Sequence, residues 1–340
     1  MSAGQAPAGS QAAARVLGGS DDAPVDRQAS TCPLCGGAGR HLMTMPIDAK
    51  TFRPTPYGRV HRCNRCGFDY IAPRPTPEQT ASFYDIGGYY TQGHDDTPQL
   101  GPPSWLSRLR LHIAWRCDRS QEPIDVMARR LAPGATIVDI GCGDGSQLDL
   151  MAARGFRPIG VERDAQSLAL RSRAAQVVEG SAEALPPQLV RGSFDAVLFR
   201  QVLEHLVDPV AALRNAAELL RPGGLLFVEV PNAHSAVSRQ SGLSWVHMDV
   251  PRHLNFFSVD SLSAAVRAAG LALDEVFFNE YCRYFSDEGI VADQRIHDHL
   301  GGAQPSRRNS GARAWALLLR TMFAAPQVKY DCIGVVARKQ

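Results

Sequence analysis

Residues 135–146 read Ala135-Thr-Ile-Val-Asp139-Ile-Gly141-Cys142-Gly143-Asp-Gly145-Ser146, and the fold follows from how this stretch ends. "ATIVDI" is an apolar, β-branched run. Glycines at every second position then lead into "GSQLDLMAARG", whose apolar residues recur at helical spacing. A strand that turns on glycine into a helix opens a parallel α/β unit. Three positions without side chains let the backbone pass close to a ligand and aim amides at it. Asp139, just before the first glycine, can receive an amine or ammonium. Glu162 ends a second strand, "FRPIGVE", where its carboxylate can accept both hydroxyls of a ribose and would repel a 2′-phosphate.

The alternation continues downstream. "DAQSLALRSRA" reads as a helix, and "QVVEG", "FDAVLFR" and "LLFVEVP" read as strands. "DPVAALRNAAELL" is a helix ended by "RPGG". In "SVDSLSAAVRAAG" Ser258 caps the helix start and Gly270 its end. "LALDEVFFNE" and "VKYDCIGVVARK" supply the last strands. The pattern predicts an α/β fold with a doubly wound, Rossmann-like seven-stranded sheet covered on both faces.

A second signal lies upstream. "TCPLCGG" and "HRCNRCGF" place Cys32, Cys35, Cys63 and Cys66 in two Cys-x-x-Cys turns, each followed by glycine. Such turns can present four thiolates tetrahedrally to Zn²⁺, and an all-sulfur set leaves no position for a catalytic water. The expectation is a small structural zinc ribbon over residues 30–75. Residues 1–29, rich in Ala, Gly and Ser, read as a disordered tail without the apolar core of a signal peptide. Residues 76–131 read as a connector: a short helix from Pro77 to about Tyr84, a loop with Tyr89 and Tyr90, then one or two helices. The 340 residues are 44% hydrophobic with a net charge of +2, so a sizeable core is expected and no global charge points to nucleic acid or membrane. No run reaches the roughly 18 apolar residues of a membrane span. Eight cysteines without an export signal predict a cytoplasmic protein with thiols rather than disulfides.

The glycine spacing, Glu162, "VVEGSAEALP", "SFDAVLFRQVLEHLVDP" and "LLRPGGLLFVEVPN" together resemble the class I S-adenosylmethionine-dependent methyltransferases from about Ala135 to Gln340. The resemblance implies that residues 132–340 bind S-adenosylmethionine. Asp139, Gly141, Cys142, Gly143, Gly145, Glu162, Arg163, Ser181, Ala182 and Gln201 would be its contacts. Ser181 stands where that family often has Asp. Methyl transfer is an in-line displacement, so the protein's tasks are alignment and proton removal, for which histidine is suited.

His205 follows the fourth strand of this unit, and His253 lies in "DVPRHLNFFS", within a loop (232–257) too long to be a simple turn. With the four cysteines and the tyrosine-bearing connector, these look like the zinc-ribbon sugar methyltransferases. That resemblance makes His253, His205 and Tyr89 or Tyr90 the acceptor-side residues and a nucleotide-linked or polysaccharide sugar, or a related small molecule, the acceptor. Arg252 stands where the C-methylating members carry an acid, so O-methylation is favoured. Gln201 replaces an acid of the quinone O-methyltransferases, which weakens the case for a catalytic divalent metal. RNA is the rival acceptor, because seven basic side chains oppose only Asp48 and Asp69 between residues 30 and 75. A non-catalytic S-adenosylmethionine-binding protein is another rival. Residues 281–325 combine a mobile-looking loop, "GGAQPSRRNSGAR", with an apolar helix, for which core packing is the default.

Overall fold

The computed structural model describes residues 31–85, 100–163 and 175–340. The tail, Tyr89, Tyr90 and the helix expected at "DAQSLALRSRA" lie outside the described residues.

Three short strands open the chain: β1 (Gly39–Thr44), β2 (Arg59–Cys63) and β3 (Asp69–Ile71), paired antiparallel in that order. Next comes α1 (Pro77–Ser82), closed at its start by a capping box between Thr76 and Gln79, with Pro77 in the first turn. The helix stops two residues short of Tyr84. Then follow α2 (Trp105–Cys117), α3 (Pro123–Arg130), β4 (Thr136–Ile140), α4 (Ser146–Ala153), β5 (Arg157–Glu162), β6 (Gln176–Glu179) and β7 (Phe194–Arg200). The remainder is α5 (Pro209–Leu219), β8 (Leu220–Pro231), α6 (Ala236–Ser241), β9 (Asn255–Phe256), α7 (Val259–Ala268), β10 (Leu271–Asn279), α8 (Asp287–His299), α9 (Gly311–Thr321), α10 (Pro326–Lys329) and β11 (Cys332–Lys339).

Seven strands form one sheet in the order β10-β11-β8-β7-β4-β5-β6. The five from β6 to β8 are parallel, and β11 runs antiparallel between β8 and β10. Strand alternation sends Val138, Val197 and Phe199 to one face, against α5 and α7, while Ile137, Leu198 and Phe227 pack with α3 and α4 on the other. The sheet is therefore doubly wound, as expected.

The ribbon is less separate than its sequence implies. Residues Asn255–Phe256, from the middle of "DVPRHLNFFS", pair with β3 and become the fourth strand of the ribbon sheet. Met45, Ile47, Val60 and Ile71 share one core with Trp245, Val250, Leu254 and Phe256 of the long loop. Tyr284, Ile296, Leu317 and Leu318 of the 281–325 segment enter the same core. Each such side chain contributes ~1.5–3 kcal/mol by leaving water. The "GGAQPSRRNSGAR" stretch is held rather than loose: Asn309 Nδ2 donates to buried Asp293 at 3.2 Å, and Ser306 is buried. A turn-rich composition looks mobile, but these polar side chains serve as internal anchors.

Two buried guanidiniums join the parts. Arg252, 1% exposed, donates to Asp48 of the ribbon at 2.6 Å, to Asp249 at 2.8 Å and to the Phe83 carbonyl at 3.2 Å. Arg74 donates to the Leu254 carbonyl, Asn255 Oδ1 and the Leu206 carbonyl at 3.0, 2.9 and 2.8 Å. Removing one partner of a buried pair leaves the other charge uncompensated. Arg252→Met should therefore lower unfolding stability by about 3–5 kcal/mol in urea titrations, and Lys, lacking the fork, should not restore it. A loss below ~1 kcal/mol would contradict the pairing.

Candidate functional site

At the carboxyl edge of β4, β5 and β7 lies a cavity of about 800 Å³, in the range of small-ligand sites. Its first wall is the glycine loop. Gly141 adopts φ +76°, and a Cβ there would sit 2.6 Å from Val202 Cγ2, so only glycine fits. Gly143, φ +54°, has open space where its Cβ would be. Its amide donates to Glu162 Oε2 at 2.8 Å, and the Arg163 amide donates to Oε1 at 2.7 Å. The carboxylate at the end of β5 is thus oriented by the loop that it faces.

The opposite wall comes from three distant stretches. After β7 the chain passes Gln201, at a strained φ of +56°, into a single helical turn, Leu203–His205. His205 Nδ1 meets the Tyr84 hydroxyl at 2.9 Å and the Arg252 carbonyl at 3.2 Å. His253 stands edge-on to His205, ring centroids 4.6 Å apart. Its Nδ1–H donates to the His247 carbonyl at 2.8 Å, which leaves Nε2 as the acceptor nitrogen.

Burial controls the charges. It lowers the His205 pKa to about 4 and drives His253 well below 6.5, the neighbouring His205 adding to the latter shift, so both imidazoles are neutral. Burial pushes the Glu204 carboxyl well up, and neither of its oxygens has a hydrogen-bond partner among the described residues. For Asp249 the penalty of burial is outweighed by the Arg252 guanidinium, which keeps it ionised. Burial is also outweighed at Glu280, where His247 holds the carboxyl at about 2. The wall offers neutral bases beside fixed anions.

Of the residues singled out from sequence, Gly141, Gly143, Glu162, Arg163, Ser181, Ala182, Gln201, His205 and His253 line this one cavity. Three expected contacts do not. Asp139 is buried in β4, where desolvation raises its carboxyl to about 7. Cys142 turns its thiol under the loop toward Gly160, where a Cβ would meet its Sγ at 2.6 Å. Gly145 serves as the N-cap of α4. Tyr89 and Tyr90 lie outside the described residues. Tyr84, just past α1, lines the cavity and was not singled out from sequence. His247, Asp249, Glu280 and Arg283 also line the cavity and were not foreseen. The spacing of "DVPRHL" from the strands gave the loop away, but not which of its side chains turn inward.

Among the described residues three groups bring possible metal ligands together: the four ribbon cysteines, Glu204 with His205 and His253, and His247 with Glu280 and Cys332. The sulfurs of Cys32, Cys35, Cys63 and Cys66 lie within 4.8 Å of one another, and the Arg65 and Cys66 amides donate to Cys63 Sγ at 3.4 and 3.5 Å. Glu204, His205 and His253 bring donor atoms equally close, and neither Glu204 oxygen has a hydrogen-bond partner among the described residues.

A family model described as "Methyltransferase domain" matches residues 114–276. The ubiquinone biosynthesis O-methyltransferase of Xanthomonas campestris pv. campestris is 32% identical over 188 residues, covering 48% of this chain and 77% of that protein. The protein of the same name from Caulobacter vibrioides is 31% identical over 189 residues, covering 52% of this chain and 72% of that one. A solved S-adenosylmethionine-dependent methyltransferase from Mesorhizobium loti aligns at 17% identity and TM-score 0.41, covering 64% of this chain and 98% of that one. With a glycine loop, a strand-end acid and a seven-stranded sheet already in place, the chain belongs to the class I S-adenosylmethionine-dependent methyltransferases.

Proposed function

We propose that this enzyme methylates a hydroxyl group of a small, polar acceptor such as a sugar, with His253 as the base. One observation carries the reading: a single cavity joins Glu162 and the glycine loop to the Tyr84–His205–His253 cluster. When bound, S-adenosylmethionine supplies a methyl group already activated by its sulfonium. The protein's residues then have three tasks. Glu162 would accept the ribose hydroxyls, and the Gly141 and Gly143 backbone would lie along the nucleoside. Tyr84 and His205 would orient the acceptor hydroxyl, and His253 Nε2 would take its proton. Positive charge leaves sulfur as the proton arrives on imidazole, so ionised Asp249 favours the step at the point where the new charge forms.

The acceptor wall is polar. His247, Asp249, Glu280 and Arg283 offer many hydrogen-bonding groups, which suits a polyhydroxylated ring better than an apolar tail. The names of the relatives favour an acceptor of ubiquinone biosynthesis instead. Isotope transfer from methyl-labelled cofactor to parallel sets of sugars and catechols separates the two, and no transfer to either would overturn the reading. The ribbon's four thiolates would hold a structural Zn²⁺, since sulfur fills every position.

Glu162→Ala should weaken S-adenosylhomocysteine binding about 10–100-fold by calorimetry, since hydrogen bonds to a charged group are at stake. His253→Ala should leave that affinity within about twofold while lowering kcat about 10²–10⁴-fold. Both histidines stay deprotonated well below pH 6.5, so kcat should hold from pH ~7.5 down to ~5.5. A rate that already halves near pH 6.5 would exclude them as the base. Cys63→Ser should reduce zinc, measured by plasma emission, from about one equivalent per chain and lower the melting temperature.

A further inference from the structure

The long loop after β8 has two sides. Val246, His247, Asp249 and His253 line the transfer cavity, whereas Ala233, Trp245 and Met248 line a second hollow of about 420 Å³. That hollow meets a third, about 630 Å³, at Arg239, Gly242 and Pro305, and the groove so formed runs between α6 and α9. A backbone bridge between Gly242 and Ser306 ties its two walls.

The groove is strongly basic. Arg239, Arg307, Arg313 and Arg320 line the third hollow, and no carboxylate does. Arg62 lines the second with Asp69, whose two oxygens that same arginine holds at 2.7 and 2.6 Å. All four arginines of the third hollow are exposed, and none forms an ion pair among the described residues. Arg320 makes one bond, to Gln240 Oε1 at 3.3 Å. Their neighbours are different: Arg308 is paired with Asp298 at 2.7 Å and Arg110 with Asp287 at 2.8 Å. The whole chain carries only +2, so this concentration is local. Like charges gathered in a concavity repel one another and raise the potential within it, which an anion relieves. Guanidinium forks match the paired oxygens of phosphate.

We infer that this groove binds a phosphate-bearing ligand, a diphosphate or phosphate monoester, at a site separate from the methyl-transfer cavity. A ligand that extends from the third hollow into the second meets Trp245 and Met248, on the back of the loop whose front carries His247 and His253. The inference does not rest on the acceptor proposed above.

Pyrophosphate titrated into the full-length chain by calorimetry tests it. Saturable binding should appear at 50 mM NaCl and weaken at least tenfold at 200 mM. The Arg307→Gln/Arg313→Gln/Arg320→Gln variant should lose at least tenfold in affinity at an unchanged melting temperature. Should it fail to fold, Arg239→Gln and Arg313→Gln singly should each lose at least threefold. Co-sedimentation with vesicles containing phosphatidylglycerol distinguishes the phosphate source: capture by vesicles alone, abolished in the same variants, assigns the groove to a lipid headgroup. Absence of saturable binding to both probes, or binding that survives the substitutions, overturns the inference.

Discussion

The Arg252 guanidinium is the constraint on which the rest of the structure depends. Three parts of the chain converge on it: Asp48 from the ribbon, Asp249 from the long loop and the Phe83 carbonyl from the connector. Its neighbours in sequence and space are the residues proposed to meet the acceptor. His253 follows it, Tyr84 follows Phe83, and its own carbonyl reaches His205 Nδ1. Taking such a charge out of water is costly, and an apolar replacement for the whole set could be as stable. What the ion cluster adds is position, because the fork and its acceptors permit one arrangement of three segments that are remote in sequence.

That arrangement explains why a ribbon accompanies this sheet. A class I sheet by itself provides the glycine loop and the acid at the end of β5. The opposite wall of the cavity, which we propose faces the acceptor, needs an additional scaffold. Here the long loop closes the ribbon sheet through Asn255–Phe256 and shares its core, so it is as fixed as a strand while still carrying ionisable side chains into the cavity. Burial keeps His205 and His253 neutral, and the Arg252 guanidinium holds Asp249 charged against the same burial. A neutral imidazole beside a fixed anion suits the proposed proton transfer to His253.

Local pattern carried much of this in the sequence. Strand and helix order, the glycine spacing, Glu162 and the paired Cys-x-x-Cys turns are all short-range signals, and β4 to β8, β10 and β11 emerge where their apolar runs stand. Long-range pairing was not legible. Nothing in "DVPRHLNFFS" announces that two of its residues complete a sheet begun near residue 39, or that Arg252 reaches Asp48. Tyr84 was not singled out because a helix end hides its direction. Asp139 and Cys142 were expected at the ligand because they flank the glycines, but strand alternation and the turn at Gly141 point their side chains inward. The "GGAQPSRRNSGAR" stretch looked loose because composition reports polarity and not whether the polar groups are paired.

The most direct test is a crystal structure of the protein with S-adenosylhomocysteine. Ribose hydroxyls on Glu162, with the thioether sulfur turned toward Tyr84, His205 and His253 across one cavity, is the arrangement this account predicts. A nucleoside seated away from Glu162, or a sulfur facing a surface that these three residues do not share, would contradict it.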